Sequence, residues 1–108
     1  MASDGLRLTV AGRSGERTVA AVGEIDLATA DAFAAALRDH LASGPVLLDL
    51  REVSFMDSSG VRVLDALLRD VAREGWILAV RPQMQNSVRM VLEMTGMLKA
   101  LPMREAGG

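Results

Sequence analysis

The sequence predicts an α/β domain, a mixed β-sheet flanked by helices, and three observations carry that reading. Strand-like and helix-like segments alternate along most of the chain. The first two strand-like segments are instead adjacent, as in a hairpin. Two later strands are nearly unbroken apolar runs, the pattern of strands covered on both faces. A chain of 108 residues has the size of one domain, 1–108, with 1–5 and 105–108 expected as flexible tails. A domain of this size buries about 65% of the surface that its unfolded chain exposes, enough for a modest core.

Leu6-Arg7-Leu8-Thr9-Val10 alternates at period two, and Thr18-Val19-Ala20-Ala21-Val22 follows a Gly- and charge-rich stretch, so the pair reads as a β-hairpin. Residues 28–41 place Ala30, Phe33, Ala34, Leu37 and Leu41 on one helical stripe, with Asp26 or Thr29 available as cap and Ser43-Gly44-Pro45 as terminator. Val46-Leu47-Leu48-Asp49-Leu50 reads as the central strand. A helix then begins near Ser58, carries Val61, Leu64, Leu67, Leu68 and Val71 inward, and closes at Glu74-Gly75. Trp76-Ile77-Leu78-Ala79-Val80 is another apolar strand. Residues 82–95 form a third helix with Val88, Val91 and Leu92 inward and Gly96 at its C-cap, and a short strand is expected near 101–103.

The composition excludes several function classes. Twelve basic residues against fourteen acidic ones are interspersed throughout, so there is no basic stripe to displace counterions and no direct nucleic-acid binding is expected. No apolar run approaches the roughly 18 residues that span a bilayer, so membrane insertion is not expected and the cytoplasm is the default location. Cysteine is absent, which removes thiolate nucleophiles and cysteine metal sites. His40 is the single histidine and Lys99 the single lysine, and no Gly-rich phosphate loop occurs. No cofactor, metal or catalytic set is therefore expected. His40, near a helix C-terminus, reads as a solvent-facing cap whose imidazolium the helix dipole favours, and a triad with Ser58 is the less favoured alternative.

Asp57-Ser58-Ser59-Gly60 is the informative constellation, because it follows a strand and opens a helix where backbone N–H groups point outward. Capping by Asp57 or Ser58 is worth about 1 kcal/mol and is the plain reading. Asp-Ser-Ser supplies more capping groups than one helix needs, and a helix N-terminus stabilises a phosphate dianion on a serine.

Gly23-Glu24-Ile25-Asp26, Leu48-Asp49-Leu50, the 53–60 segment ending in Phe55-Met56-Asp57-Ser58-Ser59-Gly60, and Leu92-Glu93-Met94-Thr95-Gly96 resemble, in order and spacing, the anti-sigma factor antagonists of the STAS superfamily. The resemblance implies a bacterial partner-switching protein, not an enzyme. In that family the unmodified domain binds an anti-sigma factor with serine kinase activity and frees a sigma factor, thereby regulating transcription. Phosphorylation of one serine switches it off, and a phosphatase can reset it. By position that serine is Ser58, with Ser59 and Gly60 beside it, Asp57 before it and Asp26 as an acidic neighbour, whereas Glu24 reads as a strand-end surface charge.

One departure stands out: relatives often carry a small residue where this chain has Arg62. It reads either as a partner-facing residue, four positions from Ser58 on the same helical face, or as a solvated charge near Asp65 and Glu52. Met84, Met90, Met94, Met97 and Met103 gather in the last quarter, as core fillers in preference to a docking surface. Two alternatives complete the set: an adaptor subunit of a lipid-transport ATPase, as other stand-alone STAS domains are, and a serine-dependent hydrolase built on Ser58.

Overall fold

The computed structural model describes residues 5–12 and 15–105. In chain order these form β1 (Leu6–Ala11), β2 (Arg17–Ile25), α1 (Ala30–Ser43), β3 (Val46–Met56), α2 (Ser58–Glu74), β4 (Leu78–Val80), α3 (Asn86–Met94) and α4 (Met97–Ala100). The sheet order is β1-β2-β3-β4, with β1 antiparallel to β2 and the other two pairings parallel. This is the expected mixed sheet, and the hairpin at its start is present. Of the expected tails, only Gly5 and Glu105 are among the described residues. The Gly5 carbonyl accepts the Glu24 N–H, and Glu105 Oε1 accepts from Gln83 at 2.9 Å.

The core lies between the sheet and the helices. Val46 through Leu50 are all buried, which makes β3 a strand covered on both faces. Phe33 is the single buried aromatic among the described residues, so aliphatic side chains from α1, α2 and the inner strands fill the space around it. On α2 the fully buried positions are Gly60, Val63, Leu64 and Leu67, while Val61, Leu68 and Val71 are half-buried beside them. Val91 of α3 is likewise half-buried.

Several boundaries differ from the expectation. α1 starts at Ala30, because Asp26 to Thr29 are held in a hydrogen-bonded turn. The strand expected at 76–80 shortens to Leu78–Val80, and the last strand is a single parallel bridge between Val80 and Met103. α3 starts at Asn86 because residues 81–85 cross from β4 to the edge of β3 that β4 is too short to cover. There Gln85 Nε2 donates to the Arg51 carbonyl at 3.2 Å and Ser87 Oγ to the Ser54 carbonyl at 3.0 Å. Gly96 takes the left-handed turn (φ 78°) one residue after the Thr95 cap.

β3 itself runs to Met56 instead of stopping at Leu50. Its ladder with β2 slips twice: Ala20 faces Asp49 but Val22 faces Glu52, and Gly23 faces Val53 but Glu24 faces Phe55. Each slip is one extra residue on β3, a bulge that interrupts the alternation of side chains between the faces. The two strands finish in step, with Ile25 opposite Met56.

Candidate functional site

Because β2 and β3 end together, Asp26 and Asp57 emerge side by side at the carboxyl edge of the parallel part of the sheet, the edge where open α/β folds place their sites. The Asp57 N–H donates to the Ile25 carbonyl at 3.2 Å, fixing the two chain exits to each other.

Asp57 is the N-cap of α2, in extended conformation, and its Oδ1 accepts the Ser59 N–H at 2.8 Å. Its carbonyl accepts the N–H groups of Gly60 and Val61 at 3.0 and 3.3 Å. One residue thus satisfies the amides of Ser59, Gly60 and Val61. Ser58 is left as the first helical residue, exposed and with no capping duty, while Ser59 is half-buried. Gly60 sets how close the turn lies to the sheet. A Cβ there would meet Met56 Cγ at 2.5 Å and Ile25 Cγ2 at 3.1 Å, and both neighbours are themselves buried.

Asp26 is fastened by a different device. Its N–H donates to Thr29 Oγ1 at 2.9 Å, and its Oδ1 accepts from the N–H groups of Ala28 and Thr29 at 3.0 and 3.2 Å. The Thr29 hydroxyl in turn donates to the Glu24 carbonyl at 2.9 Å. Thr29 occupies the N-cap position of α1 without a side-chain cap bond, and it is buried. Its role is to close the loop that presents half-buried Asp26 and the exposed Leu27 and Glu24. Residue-by-residue reading missed this bridge, although the Asp-x-x-Thr spacing was its signal.

Arg62 points across to α1: its Nη2 lies 3.5 Å from Asp31 Oδ1, both side chains being largely exposed. Asp31, not Asp65 or Glu52, is thus its acidic neighbour, and Asp65 pairs with Arg69 at 2.7 Å. The reason is the packing of α1 against α2, which brings the two helix starts together.

His40 is not near Ser58. It pairs with Arg17, whose Nη1 lies 3.2 Å from Nδ1, at the start of β2. Nine residues of strand, about 30 Å at the usual rise, separate that end from the site. The half-buried ring thus meets the guanidinium of another element instead of facing solvent alone. The triad fails on geometry.

The carboxylates with shifted titration serve the scaffold. Burial pushes the Asp49 carboxyl up, but the side-chain and backbone hydrogen bonds from Arg51, then the charges of Arg51 and Arg81, outweigh it and hold the group below its ordinary value. The Arg38 hydrogen bond, at 2.6 Å between α1 and α2, lowers Asp70, with Arg73 assisting. Of the methionines, Met97 is buried and Met84 and Met103 pack against the core, whereas Met90 and Met94 of α3 are exposed. No helix among the described residues is long and apolar enough to cross a membrane.

The sequence profile of the STAS domain matches residues 7–106. Among curated proteins, the anti-sigma-F factor antagonist RsfB of Mycobacterium tuberculosis is 37% identical over 67 residues, 60% of this chain and 55% of that protein. The chain thus spans little more than half the length of the curated relatives it matches. Among solved structures, an anti-sigma factor antagonist from Mycobacterium paratuberculosis superposes with a TM-score of 0.75 at 28% identity, over 94% of this chain and 87% of that one. The unphosphorylated anti-sigma factor antagonist SpoIIAA gives 0.70 at 21% identity over 94% and 87% of the two chains. Its phosphorylated form, described as a Bacillus cell fate determinant, gives 0.64 at 20% over 94% and 90%, so the likeness to SpoIIAA is one of fold.

Proposed function

The chain belongs to the STAS domain family, and from that membership we propose that it is a cytoplasmic anti-sigma factor antagonist switched by phosphorylation of Ser58. In the unmodified state it binds an anti-sigma factor that has serine kinase activity, and a sigma factor is released. The observation that carries this reading is the division of labour at the start of α2: Asp57 caps the helix and leaves the Ser58 hydroxyl exposed.

The chemistry asked of Ser58 is modest. Its Oγ attacks the γ-phosphorus of ATP bound by the partner, the hydroxyl proton passes to a base of the partner, and ADP leaves. A phosphatase restores the hydroxyl by hydrolysing the O–P bond, with the phosphoryl group leaving as inorganic phosphate. The added charge of about −1.5 to −2 lies beside Asp57 and Asp26 and must be desolvated when a partner covers it, so the cost falls on the complex and not on the fold. That phosphorylated SpoIIAA has the same fold supports this reading.

Capture of partners from native extract, followed by incubation with ATP and phosphopeptide mapping, tests the proposal. A kinase-fold partner and modification at Ser58 are expected. Modification confined to Ser59, or none with a proven partner, overturns the assignment. Capture of a P-loop ATPase with no phosphorylation points to an adaptor role instead.

A further inference from the structure

Ser58 and Arg62 are four residues apart in α2, one above the other on the same helical face, with Cβ atoms about 5–6 Å apart. Arg62 is held loosely. Its contact with Asp31 is 3.5 Å long, and the two side chains are 59% and 88% exposed. Asp31 stands in the first turn of α1, where the helix dipole already compensates a carboxylate, so it can give up the arginine at little cost. Around Ser58 the Asp57 side chain and carbonyl already accept from the amides of Ser59, Gly60 and Val61, which leaves the N–H of Ser58 itself as the one first-turn amide Asp57 does not engage. A phosphate on Ser58 is therefore poorly served by backbone N–H groups, but an arginine lies within one turn.

We propose that Arg62 reads the modification state of Ser58: it pairs with Asp31 when the hydroxyl is free and turns back to the phosphate when it is modified, leaving Asp31 unpaired. This rests on the reading of Ser58 as the modified residue. The guanidinium offers the phosphate charge-assisted, two-pronged hydrogen bonds that a carboxylate 3.5 Å away on another helix does not match. A change on α2 is thereby carried to the surface of α1 without movement of either helix. The phosphorylated protein differs from the free one at two places, the phosphate and an Asp31 that has lost its arginine.

The experiment uses the full chain with phosphoserine genetically encoded at position 58, so that no kinase is required. In a phosphorus NMR titration, the second phosphate pKa is expected to be about 0.3–0.5 pH unit lower in the otherwise unaltered chain than in Arg62→Ala, the size of an exposed charged contact. Arg62→Lys should fall between them, and Asp31→Asn should match the otherwise unaltered chain because Asp31 is already released. The Arg62 Nε signal should move on introducing the phosphate. Coincident titrations with and without Arg62, or an Nε signal indifferent to the phosphate, overturn the proposal. If the encoded phosphoserine engages Arg62 while no partner kinase modifies Ser58, the functional reading fails and the arginine contact stands.

Discussion

The Asp57 N–H and the Ile25 carbonyl, 3.2 Å apart, join the ends of two neighbouring parallel strands. That single bond places Asp26 and the α2 cap at one edge, and it forms because β3 spends two extra residues in bulges before it reaches Met56. The candidate site is assembled where strands end, and its positions are set by the ladder beneath.

Removing the cap and removing the hydroxyl should have different effects. Asp57→Ala is expected to lower stability by about 1 kcal/mol, because it uncovers the Ser59 amide. Ser58→Ala, at an exposed position without a capping bond, should change stability by no more than about 0.5 kcal/mol while abolishing phosphorylation. Urea unfolding of both variants checks this, and equal losses would contradict it.

Gly60→Ala sets helix propensity against space. Propensity favours alanine by about 1 kcal/mol, but a Cβ at 2.5 Å from buried Met56 Cγ forces displacement in a full core, at about 1–3 kcal/mol. A net loss of stability is expected by thermal or urea denaturation. A variant more stable than the parent would show that Met56 yields freely.

Thr29→Val keeps the shape and removes the hydroxyl that joins Asp26 to Glu24. The Asp26 N–H loses its acceptor and the Glu24 carbonyl a donor, so a loss of about 1–3 kcal/mol is expected. Thr29→Ser should stay close to the parent. Amide exchange at Asp26 should speed up in the valine variant alone.

The Asp49–Arg51 pair predicts a pH window. The Asp49 carboxyl is held below its ordinary value in the folded chain, so its contribution to stability is fully present above about pH 4. It is lost as the pH falls through the folded value, where the native state takes up the proton. Arg51→Ala removes the main lowering influence, so the variant should be less stable than the parent at pH 7 and the gap should narrow as the pH falls below about 4. Unfolding free energies measured across that range decide it, and a gap independent of pH would count against this pairing.

Much of the architecture was legible because apolar periodicity records burial. The α1 stripe of Ala30, Phe33, Ala34, Leu37 and Leu41 is buried as its spacing required. The lower half of β3 was not legible, since Arg51-Glu52 and Ser54 break the alternation, and only the partner strand reveals that Arg51 and Ser54 fall where the register slips. Gly60 could be named from the motif, but the reason a glycine stands there is a contact with Met56 and Ile25 that spacing does not encode. Asp31 escaped notice as the neighbour of Arg62 because the pair spans two helices, and His40 met Arg17 for the same reason of tertiary approach.

The side chains of Gln85 and Ser87, laid against the carbonyls of Arg51 and Ser54, also bear on how this molecule behaves in a crowd. β4 pairs with only Val46 to Leu48, so the rest of an eleven-residue strand would otherwise present bare carbonyls to any extended chain nearby. An amide and a hydroxyl occupy the very acceptors that an invading strand would need, and the helix behind them blocks the approach. Loosening α3 should therefore show first as self-association by strand addition, before the rest of the fold is lost.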